Sequence, residues 1–165
     1  MKILNFSIEK VINIKVANQI FDLHNEFPLQ GYNYKTLEKT FELSFKGNSV
    51  YYDNWDDREV GNELITDLKI IFRNVKFLSI RDCPFDETNV CFTQMKFVNK
   101  MIEERPGSIN EIENLVSSSV YADEIEPFGW EEFMYISFIY GVEILISSET
   151  VEANFNQFYN SSNCK

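Results

Sequence analysis

The sequence predicts a mainly β protein: an antiparallel sheet or β-sandwich carrying one or two short helices, with an α+β arrangement as the alternative. Three observations lead there. Residues 133–148, FMYISFIYGVEILISS, set Met134, Ile136 and Phe138 on one face before Gly141, and Val142, Ile144 and Ile146 on one face after it. That is the two-residue period of a strand, folded back at a glycine turn. Elsewhere Phe41, Leu43 and Phe45 alternate with Glu42, Ser44 and Lys46, the pattern of a strand with one buried and one solvated face. Finally, 15 Phe and 8 Tyr in 165 residues, against only 6 Gly and 4 Pro, supply a packed core and leave little for linkers. A hairpin needs further sheet or helix to cover it, and a chain of this length supplies that within one domain, residues 1–165, with a frayed tail at 160–165.

The elements follow in order. The alternation of Ile12, Ile14 and Val16 predicts a strand, while Ala17, Ile20, Phe21 and His24 step by three and four and predict a short helix over 17–25. Pro28 and Gly31 mark a turn. The strand through Phe41 and Phe45 is expected to turn at Gly47-Asn48 and return through Val50, Tyr51 and Tyr52. Residues 64–81 read as two strands divided at Asn74. Leu68, Ile70 and Phe72 share one face of the first. The second has apolar residues on both faces, as a covered central strand would. Asp82-Cys83-Pro84 ends that run. In 90–102, Val90, Phe92 and Gln94 favour a strand, whereas Met95, Val98, Met101 and Ile102 fit a helix; strand followed by a short irregular segment is the reading taken. Ser108 and Glu111 form a capping box ahead of the apolar stripe Ile109, Ile112, Leu115 and Val116, predicting a helix over 108–118. Residues 149–165 read as a polar tail holding Val151, Phe155, Phe158 and Tyr159.

Charge is the most unusual global property. The net charge is −11, and it is uneven: residues 1–52 carry 6 bases and 5 acids, residues 53–165 carry 9 and 21. Such a surface repels nucleic acid and anionic membranes and attracts basic partners. It also serves solubility. Cys83, Cys91 and Cys164 form no zinc spacing, and His24 is the single histidine. Glu9 and Lys10 interrupt any signal-peptide core, and no run of about 20 apolar residues suggests a membrane span. Free thiols in a reducing cytoplasm are the expectation.

Catalytic patterns are scarce. His24 has no nucleophile marked beside it, and Cys83 lies between Asp82 and Asp86, an unfavourable setting for a thiolate. Neither phosphate-cradling loop motif occurs, and the acidic segments lack the calcium-loop spacing, so no cofactor or metal is expected. Paired carboxylates of a hydrolase remain an alternative that sequence leaves open. What stands out is tryptophan beside acid. Trp55 lies among Asp53, Asp56, Asp57 and Glu59, and Trp130 lies among Asp123, Glu124, Glu126, Glu131 and Glu132. An indole supplies desolvated contact area and the carboxylates steer a cationic partner. These eleven residues are therefore the candidate partner-binding set. The expectation is a non-enzymatic, acidic protein-binding domain, concretely an immunity-type inhibitor of a basic toxin or nuclease. The competing expectation is a small-ligand or carbohydrate-binding β domain using Tyr51, Tyr52, Tyr135 and Tyr140 as stacking platforms.

Overall fold

Two mostly antiparallel sheets packed against each other form the body of the protein. The computed structural model describes residues 1–9, 13–24, 27–48, 62–81, 92–110, 112–113, 132–138 and 142–161. Its strands are β1 (Lys2–Ile3), β2 (Phe6–Glu9), β3 (Asn13–Val16), β4 (Gln19–Asp22), β5 (Leu29–Lys35), β6 (Thr40–Asn48), β7 (Asn62–Arg81), β8 (Phe92–Phe97), β9 (Phe133–Phe138) and β10 (Glu143–Ser161). Helix α1 (Val98–Glu104) and a 3-10 turn (Pro106–Ser108) follow β8. The large sheet runs β5-β6-β7-β10-β9-β8, and β1 adds to β10 in parallel; β2-β3-β4 form the small sheet. The mainly β expectation is thus met.

The core lies between the sheets. Phe41, Leu43 and Phe45 of β6, Leu68, Ile70 and Phe72 of β7, Met134, Ile136 and Phe138 of β9, and Ile144, Ile146, Val151 and Ala153 of β10 face the small sheet's Ile14, Val16 and Phe21. Phe21 touches Phe155 across the interface with ring centroids 5.1 Å apart. Each large side chain buried here contributes about 1.5–3 kcal/mol. The opposite face is covered at one end as well. Val98 and Met101 of α1, with Ile112, pack on Phe77, Phe133, Tyr135 and Leu145. β9 is consequently buried on both faces, which explains its unbroken apolar run.

The expected pairing within 133–148 forms, antiparallel with Ile144 opposite Ile136 and Ile146 opposite Met134, while the turn at Gly141 lies outside the described residues. The strand through Phe41 and Phe45 forms too. Several other expectations are corrected. Residues 17–24 hold no helix, Asn25 lying outside the described residues: Ala17 adopts φ 53° and returns the chain so that Gln19 pairs with Val16, making β4. Pro28 and Gly31 make no turn; Gly31 sits in β5 beside a register shift. Gly47 and Asn48 pair with Thr66 and Ile65 as strand residues, and the Val50–Tyr52 partner lies outside the described residues. The segment after β8 is helical, being α1. Residues 109, 110, 112 and 113 are helical too. Ser108 is buried and its hydroxyl donates to the Met101 carbonyl at 3.4 Å, while Glu111, the other half of the capping box, lies outside the described residues.

The largest correction concerns β7 and β10. The two strands expected in 64–81 are one strand of 20 residues, and the supposed polar tail is the second half of β10, paired with β7 as far as Ser161 opposite Asn62. Asn74 bends the strand without ending it, at φ 52°, a conformation Asn tolerates better than most residues. Phe77 opposes Ser147 and Val75 opposes Ser148, so β7 carries one extra residue there. This β-bulge reverses side-chain parity on β10: Ile144 and Ile146 face the main core before it, Val151 and Ala153 after it. The Val75 N–H donates to the Lys39 carbonyl at 2.8 Å, tying the β5–β6 turn to the bend.

Beyond the bulge, β1 takes over the edge of β10 from β9. Leu4 N–H donates to the Val151 carbonyl at 3.0 Å, and the Asn5 side chain both donates to and accepts from the Ala153 backbone at 2.8 Å. A side-chain amide here does the work of a further strand residue.

Candidate functional site

Of the eleven candidate partner-binding residues, Asp53, Trp55, Asp56, Asp57, Glu59, Asp123, Glu124, Glu126, Trp130 and Glu131 lie outside the described residues. Glu132 is described. It is half-buried and pairs with Lys76 of β7 at 3.4 Å. The described framework does fix where the acidic segments attach. Residues 49–61 join Asn48 of β6 to Asn62 of β7; residues 82–91 join Arg81 to Phe92; residues 114–131 end at Glu132, beside Lys76. Asn62 lies twelve residues before the Asn74 bend, about 40 Å at about 3.3 Å per residue, and Lys76 lies two residues beyond it. The attachment points of the two tryptophan segments are thus well separated along β7.

Charge divides sharply between framework and connections. The described residues contain twelve lysines and arginines against thirteen aspartates and glutamates, a net of −1. The remaining three bases and thirteen acids leave −10. Segments 49–61, 82–91 and 114–131 contribute −3, −3 and −4 of it. Several framework acids pair with a base on a neighbouring element: Glu42 with Lys69 at 2.7 Å, Glu152 with Arg73 at 2.5 Å, Glu143 with Arg81 at 3.0 Å, and Glu104 of α1 with Lys96 of β8. The Lys69 ammonium, followed by the Ser44 hydroxyl, holds the Glu42 carboxyl below its ordinary value, with partial burial opposing.

A second constellation lies on the α1-covered face of the large sheet. Two strand steps past Phe77 and Phe133, which flank Ser147, the side chains are polar. Arg81, Glu143, Ser137 and Gln94 stand opposite one another across β7, β10, β9 and β8. Ser79, Leu145, Tyr135 and Lys96 occupy the row between these and Phe77 and Phe133. Glu143 is gripped at both oxygens, by the Arg81 guanidinium at 3.0 Å and the Tyr135 hydroxyl at 2.5 Å. Tyr135 is 4% exposed, so it is no stacking platform; its ring belongs to the core and its hydroxyl to this row. Tyr51, Tyr52 and Tyr140 lie outside the described residues. Sequence reasoning did not select Arg81, Glu143, Ser137 or Gln94. The available signal was Glu143 itself, the one charge inside the apolar run 133–148.

Among the described residues no three His, Cys, Asp or Glu side chains converge to hold a metal ion, and no helix is long and apolar enough to cross a membrane. The backbone N–H of His24 donates to Asp22 at 2.9 Å, across two residues. Comparison with protein-family models, with curated proteins and with solved structures found no match to this chain.

Proposed function

We propose that this chain is a non-enzymatic, cytoplasmic, acidic binding protein that engages a basic protein, in the manner of an immunity-type inhibitor masking the cationic site of a toxin or nuclease. One observation carries the reading: the strand framework is nearly neutral, and the connecting segments hold −10 of the −11 charges. Charge needed only for solubility has no reason to concentrate in connections. Charge that meets a partner does, because loops on a rigid scaffold are where binding residues gather, and an uncompensated field accelerates encounter with a cation. Trp55 and Trp130 lie in two of these segments and supply apolar anchors.

The test is affinity capture on the immobilised chain, followed by kinetics with the captured protein. The expected partner is strongly basic and leaves as salt is raised. Neutralising one segment (D53N, D56N, D57N and E59Q together), or the other (D123N, E124Q, E126Q and E131Q together), should slow association about ten-fold with little change in melting temperature. Capture of acidic proteins, or association indifferent to both salt and these variants, would refute the reading.

A further inference from the structure

The open edge of the large sheet has no role in the binding mode just proposed, and its sequence is unusual for an edge. β5 ends the sheet, and among the described residues it pairs with β6 alone. An edge strand leaves a row of backbone N–H and C=O groups ready to pair with another strand, and natural proteins guard it with charge, proline or a bulge. β5 carries its guards at its ends: a register shift between Leu29 and Gly31 at the start, and Lys35 at the finish. Between them Gly31-Tyr32-Asn33-Tyr34 holds no charge and no proline, and keeps an unbroken register with β6 from Ser44 to Phe41. Tyr32 and Tyr34 stand opposite Leu43 and Phe41, and so belong to the core face of the sheet. The Tyr32 ring lies 6.0 Å from that of Phe41, which lies 6.0 Å from that of Phe72. The apolar layer of the core therefore runs out to the edge, where Tyr32 and Tyr34 remain 42% and 40% exposed.

From this we infer that β5 pairs antiparallel with β5 of a second copy of the chain, about a two-fold axis at Asn33. Register and charge together select a second copy. With the axis there, Tyr32 of each copy faces Tyr34 of the other on the core side of the joined sheet, and Asn33 faces Asn33 on the opposite side. Lys35 faces Gly31, so no like charges stand opposed. The contact is its own symmetry mate, which closes the assembly at two copies. The surrounding charge also suits self-association. Residues 27–48, which build β5, β6 and their turn, carry three lysines and two glutamates, a net of +1 in a chain of −11. Two acidic copies therefore meet where neither is acidic. The far edge suits them less: β8 is entered from segment 82–91, which carries −3.

Sedimentation equilibrium on the whole chain, from micromolar to near-millimolar concentration, tests this. The expected result is a reversible monomer–dimer equilibrium. Y32K and Y34K together set lysine against lysine across the axis and should weaken it about ten-fold or more. I20S, which removes an exposed apolar side chain from the small sheet, should leave it unchanged. Cross-linking then checks the register without relying on a destabilising variant. N33C brings two thiols together at the axis, where paired Cα atoms lie about 4.5–5.5 Å apart and a disulfide can close. K35C leaves its two thiols about 13 Å apart along the strands, beyond disulfide reach. Under mild oxidation N33C should form more covalent dimer than the wild-type chain, and K35C no more than it. A chain that stays monomeric throughout, a dimer that Y32K and Y34K leave intact or that I20S weakens equally, or cross-linking by K35C in place of N33C overturns the inference. The partner-capture result above does not depend on it.

Discussion

Ser147 and Ser148 offer the sharpest energetic test of the fold, because adjacent serines meet opposite fates at the bulge. Both are 0% exposed. Ser148 donates its hydroxyl to the Thr150 carbonyl at 3.1 Å. Ser147 Oγ has no partner among the described residues, and its strand neighbours Phe77 and Phe133 stack edge-on with centroids 5.5 Å apart. Stripping a hydroxyl of water without a replacement bond costs about 1–3 kcal/mol. Ser147→Ala removes that penalty and only one oxygen's worth of packing. It should therefore stabilise by about 1 kcal/mol, raising Tm by roughly 2–4 °C for a domain of this size. Ser148→Ala loses a net hydrogen bond and exposes the Thr150 carbonyl to the same desolvation, so it should destabilise by about 1 kcal/mol. Urea melts with equal m-values would measure both. Equal destabilisation by the two variants would show that Ser147 has a hydrogen-bond partner, and the account of this layer as dry and apolar would be wrong.

Other outcomes follow from the same geometry. Asn5→Ala deletes both side-chain bonds to Ala153 and should cost about 1–2 kcal/mol, with hydrogen exchange at the Ala153 amide accelerating first. Phe72→Ala, in the centre of the core and fully buried, should cost about 3–5 kcal/mol. Leu37→Ser, at the fully exposed tip of the β5–β6 turn, should stay within about 0.5 kcal/mol; a large loss there would mean the tip is covered. For Glu42, a carboxyl held below its ordinary 4.5 stabilises the fold above that pH, and the contribution is lost as pH falls through the folded-state value. The stability gap between the wild-type chain and Glu42→Gln should accordingly close on acidification, and a gap that widened in acid would contradict the Lys69 pairing.

The sequence alone determined the β character, the alternation of Phe41, Leu43 and Phe45, the pairing within 133–148 and the acidic connections, because each is written in local period or composition. Where it misled, the deciding contact was distant. The helical spacing of Ala17 to His24 gave way to pairing with β3. Asn74 and the polar residues after Ser148 read as a turn and a tail. Only the facing strand shows that each continues a long ladder through a bulge, where parity flips and period-two reading loses its phase. The polar row was equally out of reach. Arg81, Gln94, Ser137 and Glu143 are dispersed through more than sixty positions of sequence, and strand register alone sets them side by side. Periodicity tells a residue which face it occupies; tertiary pairing decides which residues share that face.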